Sequence, residues 1–257
     1  MRRSLTFPAG LALALISLTG GIGPLQADPP AKVSDTPTLN PQVASLLKQA
    51  EAAYQKLNSY QHTEVLKVEA AGSKASPAGK FMLALERPNK FCFRQPGGDG
   101  MTTIVSDGKN LFKYRDRTLE YIRVAAPDSF KDMTIVDEEA LLSPASSLVV
   151  LMLQGGPVAE KKLAEFLAHF IPGDDVTEGK RKYQTLSDSE GELTTRLYFD
   201  ATTHLFTRWS NTDKQHGLTA TETLQDVALN KPIKPSVFQY APPLGATQVE
   251  KFTPTGP

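Results

Sequence analysis

The stretch ERPNKFCFRQPGGDGMTTIVSDGKNLFKYR, residues 86–115, decides how this chain is read. Its segments KFCFRQ (90–95), MTTIVS (101–106) and NLFKYR (110–115) have the length and the aromatic or β-branched content of strands. PGGDG (96–100) and Asp107-Gly108 are turn sequences between them, and Asp-Gly between such runs is a strong hairpin signal. Connections this short join antiparallel neighbours. A strand with one face in water alternates apolar and polar residues. Here Phe91 and Phe93 flank Cys92, and Leu111 is followed by Phe112. Both faces of the meander are apolar, so the sheet must be covered on both sides or must line a hollow.

Working outward, HTEVLKVEA (62–70) and KFMLALE (80–86) precede this stretch as strands, joined by the turn-rich GSKASPAG (72–79). TLEYIRV (118–124) follows as one more. Upstream, Val43, Leu46, Leu47, Ala50, Tyr54 and Leu57 recur at helical spacing, and Asn40-Pro41 suits the N-cap and first turn. Downstream, Ser143-Pro144 opens a segment, SSLVVLMLQ, that is apolar on every side. Gly155-Gly156-Pro157 ends it and starts a second helix with Leu163, Phe166, Leu167 and Phe170 on one stripe. Strands then resume in KRKYQTLS, LTTRLYFD, HLFTRWSN and LTATETLQDVAL, before a proline-punctuated tail from residue 230.

These elements predict an α+β fold: a strongly curved antiparallel sheet, an incomplete β-barrel, with helices packed across its concave side. Phe81, Leu83, Phe91, Phe93, Ile104, Phe112, Tyr114, Phe199 and Trp209 are expected to line the hollow. Leu148, Leu151 and Met152 are expected to face it from the apolar helix. Such an interior binds a hydrophobic guest if the helical plug moves. The alternative is that the helices fill the concavity and the protein displays a surface. Both faces being apolar, the pattern does not say which points inward.

The N-terminus has Arg2-Arg3, the apolar run AGLALALISLTGGIG and a small residue at Ala27, the grammar of a secretory signal peptide over residues 1–27. Gly20, Gly21 and Gly23 interrupt the run below the ~20 residues of a membrane span. Residues 28–41 read as a flexible leader and residues 42–257 as one domain. The expected location is the periplasm, without stable membrane insertion. Lys and Arg number 28 against 28 Asp and Glu, and loss of residues 1–27 removes only Arg2 and Arg3. Near-neutral charge gives nucleic acid no electrostatic reason to bind. One cysteine, Cys92, excludes an internal disulfide framework.

Chemistry-bearing motifs are sparse. His62, His169, His204 and His216 have no paired spacing and no cysteine pair beside them, which argues against structural zinc and for turn or surface roles. Ser-x-x-Lys occurs at Ser45–Lys48 and Ser106–Lys109 without a companion Lys-Thr-Gly. Glu138-Glu139 and Asp174-Asp175 read as charges flanking helices. GGDG joins two strands and lacks the helix N-terminus of a phosphate cradle. The expectation is a non-enzymatic protein with no cofactor and no metal.

ERPNKFCFRQP followed by TIVSDGKNLFKYR resembles the LolA-type periplasmic lipoprotein carriers, in which Arg-Pro-Asn precedes an aromatic-rich strand and Ser-Asp-Gly-Lys precedes an aromatic and a Tyr. LYFDATTHLFTRW and SVFQYAPPLGATQV are similar to the late hairpin and closing segment of that family. At Phe112 the chain departs from the family's Trp. The resemblance implies a half-barrel sheltering the acyl chains of a lipid or lipoprotein, a monomer that hands its guest to an envelope protein. It also implies that Arg87 locks the lid. A sensor or scaffold that binds another envelope protein without lipid is the alternative within the same fold.

Overall fold

A computed structural model describes residues 37–95, 102–133 and 142–253. The signal-peptide reading, most of the leader, the PGGDG turn and Glu138-Glu139 lie outside the described residues. The first helix, α1 (Pro41–Gln55), starts where Asn40 Oδ1 accepts the Gln42 amide at 2.9 Å, and it buries Val43, Leu46, Leu47, Ala50 and Tyr54. Six strands follow: β1 (Ser59–Ala70), β2 (Ser76–Glu86), β3 (Lys90–Arg94), β4 (Thr102–Asp107), β5 (Asn110–Arg115) and β6 (Glu120–Ala125). Two helices come next, α2 (Pro144–Gln154) and α3 (Gly156–Leu167). Then come β7 (Ile171–Pro172), β8 (Val176–Glu178), β9 (Arg181–Glu190), β10 (Leu193–Asp200), β11 (Phe206–Asp213), β12 (Leu218–Leu229) and β13 (Thr247–Gln248).

All thirteen strands form one unclosed, curved sheet in the order β13-β6-β5-β4-β3-β2-β1-β12-β11-β10-β9-β7, with β8 also on β9. Pairing is antiparallel except where the two residues of β13 run parallel to β6. The two meanders meet at β1 and β12, whose long pairing from Tyr60↔Leu229 to Ala70↔Leu218 makes them neighbours. The segment read as the loop GSKASPAG is shorter than expected, because β2 begins at Ser76 and pairs there with Val68. At the Asp107-Gly108 turn, Asp107 Oδ1 accepts the amides of Lys109 and Asn110, each at 2.7 Å.

The question raised by the two-faced strands has a direct answer: both faces are covered. On one face α1, α2 and α3 pack against Leu83, Leu85, Phe91, Phe93, Ile104, Leu197, Phe199 and Phe206 in a continuous core. On the other, Ala84, Cys92 and Val105 lie beneath Ile233 and Phe238 of the C-terminal segment, whose short 3-10 helix spans Pro235–Phe238. Arg94 Nη2 holds that segment by donating to Gln239 O at 2.7 Å. The tail, read from sequence as a punctuated end, is a structural cover.

Candidate functional site

The concave face is occupied by α2. Its N-cap Ser143 accepts the Ser146 amide at 3.1 Å, and Pro144 takes the first turn, where a missing N–H is harmless. Residues 148–154 are all buried, which explains a helix without a polar face: sheet and helices enclose it. Gly155, at φ +58°, ends the helix in a conformation that favours glycine, and a Cβ there would collide with the Gln55 amide.

Polar groups from three elements hold the C-terminal end of α2. Arg87 Nη2 donates to Leu153 O at 2.8 Å while its Nε donates to Leu57 O, also at 2.8 Å. Gln55 Nε2 donates to Met152 O at 2.6 Å and Leu153 O at 3.2 Å. Gln154 Nε2 reaches Met133 O and Phe130 O. The Arg87 and Gln55 donors satisfy carbonyls that a helix end leaves without partners, while Gln154 ties α2 to the segment around Phe130 and Met133. Arg87 lies between the end of β2 and the start of β3, so the sheet itself carries the guanidinium.

Two acids hold the N-terminal end. Glu64 Oε2 accepts the hydroxyls of Ser143 and Ser146, each at 2.7 Å. Glu222 Oε2 accepts the Ala145 amide at 2.9 Å. Glu64 opposes Leu224 and Glu222 opposes Leu66, so the two carboxylates are diagonal neighbours on β1 and β12. Burial pushes Glu64 up to about 7 against the two serine donors, and burial together with the Glu64 charge pushes Glu222 up to about 8. His62, also on β1, is fully buried and pushed down to about 3 by desolvation, so its imidazole is neutral. Its Nδ1 pairs with the Tyr60 hydroxyl at 3.0 Å.

Between α2, α3 and β11 a cleft of about 270 Å³ opens to solvent, walled by Pro144, Ser147, Leu148, Leu151, Lys162, Phe166 and Trp209. Phe166 stacks on Trp209 with ring centroids 5.4 Å apart. The walls are almost wholly apolar, but the volume falls just short of the ~300–1,000 Å³ of ordinary small-molecule sites.

Of the residues expected to line a hollow, Leu148, Leu151 and Trp209 meet in this cleft. Met152 is enclosed in the core beside them. Phe81 and Phe93 stack at 6.1 Å, Phe91 stacks on Phe130 at 5.6 Å, and Leu83, Ile104 and Phe199 complete the helix-facing floor. Phe112 and Tyr114 are elsewhere. Phe112 pairs with Val105 and Tyr114 with Thr103, which puts both on the face beneath the C-terminal segment, against Tyr240 at 5.6 and 6.1 Å. Sequence parity explains the difference: residues 112 and 114 share the face of 105 and 92, whereas 93 and 104 face the helices.

The other motif residues have structural partners. Ser106 is buried and donates to Asn89 O at 2.7 Å, and Ser45 is exposed, accepting from Gln49. Cys92 is buried on the outer face, where desolvation pushes its thiol up to about 11. His62 is a correction: it is a core residue rather than a turn or surface one. His216 sits in a turn against Asp213 at 2.7 Å. Among the described residues no group of three or more His, Cys, Asp or Glu is placed to hold a metal, and no helix is long and apolar enough to cross a membrane.

Sequence reasoning missed Gln55, Glu64, Phe166 and Glu222 as parts of the site. A signal existed for the acids. In β1 the inward residues are Tyr60, His62, Glu64 and Leu66, so Glu64 stands in the parity of the buried side chains; Glu222 stands likewise two residues before Leu224.

No curated protein matches the chain. Solved structures similar to it include an uncharacterised conserved protein of Thermus thermophilus (11% identity, 81% of this chain and 98% of that one, TM-score 0.44). Another is a LolA superfamily protein of Nitrosomonas europaea (10% identity, 77% and 97%, TM-score 0.32). A third is the MucA/MucB complex of Pseudomonas aeruginosa (14% identity, 78% and 61%, TM-score 0.40). The profile of the family described as predicted periplasmic protein (DUF2092) matches residues 43–251, and the chain belongs to that family.

Proposed function

We propose that this protein is an exported, non-enzymatic binding protein of the cell envelope that shelters an apolar guest, the acyl chains of a lipid or lipoprotein, on the concave face beneath α2. The observation that carries the reading is α2 itself: a helix of buried apolar residues, fixed at its ends by hydrogen bonds, beside an open apolar cleft. In this reading residues 1–27 are a signal peptide cleaved on export, residues 28–41 a leader, and residues 42–257 one domain.

Magnitudes favour exchange of one apolar filling for another. An acyl chain of about 15 methylenes gains about 12 kcal/mol on burial. Withdrawing the six apolar side chains Leu148, Val149, Val150, Leu151, Met152 and Leu153 forfeits about 9–18 kcal/mol at ~1.5–3 each. The two terms are of one size, so the closed form is not an insurmountable trap and the loaded form is not a sink. Polar tethers at the ends of α2 then set the balance, and release proceeds by hand-off to an envelope protein.

The test is native mass spectrometry of protein taken from its own envelope, paired with titration of a fluorescent fatty acid into delipidated protein. A bound lipid mass and one-to-one binding that weakens in Trp209→Ala and Leu151→Asp are expected. An empty protein that takes up no acyl probe, even with Arg87 replaced by Ala, overturns the proposal. A stoichiometric protein partner captured by that empty protein favours the scaffold reading instead.

A further inference from the structure

The acids at the N-terminal end of α2 need an explanation that an apolar plug does not supply. Placing Glu64 and Glu222 at 0% and 7% exposure on adjacent strands is expensive, because each carboxylate loses its water and feels the other. Among the described residues no lysine or arginine forms an ion pair with either. The titratable groups around them are Tyr54 of α1, Tyr60 and neutral His62 of β1, and Lys162 of α3, which lines the cleft with Pro144 and Trp209, the cross-strand partner of Glu222. Glu64 Oε1 and His62 Nε2 are buried without hydrogen-bond partners. The compensation comes from α2: two serine hydroxyls, the Ala145 amide and the positive end of the helix dipole.

That compensation suits one negative charge and not two. With a single proton shared between them, the pair presents a monoanion to a helix end worth about half an elementary charge. With no proton, two anions lie side by side in a buried site. Moving the N-terminal turn of α2 away from the sheet admits water to both and relieves their repulsion. Closure of α2 is thereby coupled to proton occupancy.

We propose that Glu64 and Glu222 are positioning residues that form a proton-dependent latch on α2, closed while they share a proton and released when they lose it. The sign follows from the direction of the shifts. Carboxyls raised above their ordinary range by closure contribute stability to the closed form below about pH 4.5, and that contribution is lost as pH rises through about 7 and 8. Neighbouring His62 does not reverse it, being neutral throughout this range. The latch opens toward alkaline pH and closes toward acid. It acts at the end of α2 opposite Arg87, so the helix is held by a permanent cation at its C-terminal end and by a titrating anion pair at the other.

The experiment is hydrogen exchange on the whole protein without any guest, with amides of residues 148–154 followed between about pH 6 and about pH 9 and corrected for intrinsic exchange. The opening constant of α2 is expected to rise about tenfold or more per pH unit up to about pH 8 and then to level off. Amides of β3 and β4 serve as the reference and are expected to stay flat. In E64Q/E222Q the pH dependence of α2 is expected to vanish. If that double variant does not fold, E222Q alone decides: with Glu222 unable to ionise, the step at about 8 is lost and the profile is expected to level off at lower pH, at about 7. A flat wild-type profile, an unchanged profile in E64Q/E222Q, or an unshifted one in E222Q would each overturn the latch. None of these readouts involves a lipid, so the latch stands or falls separately from the carrier reading.

Discussion

Replacing Arg87 by Ala tests whether the end of α2 is the weak point of the closed form. The side chain makes two hydrogen bonds of 2.8 Å, one to Leu153 O on α2 and one to Leu57 O before β1. A hydrogen bond from a charged donor contributes about 1.5–3 kcal/mol, and the half-exposed position of the guanidinium argues for the lower end. Leu153 O keeps Gln55 Nε2 at 3.2 Å, so one carbonyl is weakened rather than orphaned. Only the Leu153 bond reaches α2, so the expected loss to the closed form is about 1.5–2 kcal/mol, or roughly a 10- to 30-fold rise in the opening constant of α2 at ~1.4 kcal/mol per tenfold. Hydrogen exchange resolved by segment reads it directly: amides of α2 lose protection while those of β3 and β4 keep theirs. Arg87→Lys should rescue little, because an ammonium cannot span both carbonyls with a fixed fork. If protection falls equally across α2 and the sheet, Arg87 is an ordinary stabilising residue and the idea of a locally detachable plug fails. If α2 is unaffected, the lock is not there at all.

Three further outcomes follow from the same geometry. Gly155→Ala combines an unfavourable positive φ with a collision against Gln55, so it should loosen α2 by roughly 1–2 kcal/mol; an exchange pattern for α2 like that of the wild type would contradict this. Phe112→Ala and Tyr114→Ala should lower the denaturation midpoint yet leave acyl-probe affinity unchanged, whereas Trp209→Ala should weaken the probe; equal effects from both faces would disprove the assignment. Phe238→Ala removes the cover over the outer face, with an expected loss of about 3 kcal/mol in chemical denaturation. It should also turn Cys92 from inert to reactive toward a thiol reagent, and a thiol that stays silent in that variant would refute the covering role.

The fold was legible in the sequence wherever local chemistry suffices. Asp107-Gly108, the aromatic runs around it and the Ser143-Pro144 start of α2 each specify their element within a few residues, and the structure has all three. The curvature and the presence of a plug were legible too, because two-faced strands and an all-apolar helix have few other uses. What local pattern did not reveal was which partner covers which face. Phe93 and Phe112 are both aromatic and both in strands; only the register Phe93↔Ile104 and Val105↔Phe112 separates them. The second of these registers is set by the turn at residues 107–109, which Asp107 holds, and not by the aromatic side chains it aligns. The tail was misread for a related reason, since Ile233 and Phe238 are too sparse to signal burial until a sheet face is known to need them.

The acids illustrate a sharper limit, and it bears on how the site works. An inward-facing glutamate between His62 and Leu66 conflicts with a half-apolar strand, and so does Glu222 two positions before Leu224. Taken alone, each conflict looks like a strand whose face has been assigned backwards. They make sense only together, when β1 and β12 bring the two carboxylates side by side and α2 supplies the donors. Sites in folded proteins gather where local rules are broken and then compensated from a distance. In this sheet the broken rule sits under the N-terminal turn of α2, the helix proposed to move, while the apolar floor obeys the pattern throughout. A fold that merely needed a filled core would have placed leucine at both positions, as neighbouring Leu66 and Leu224 show it can.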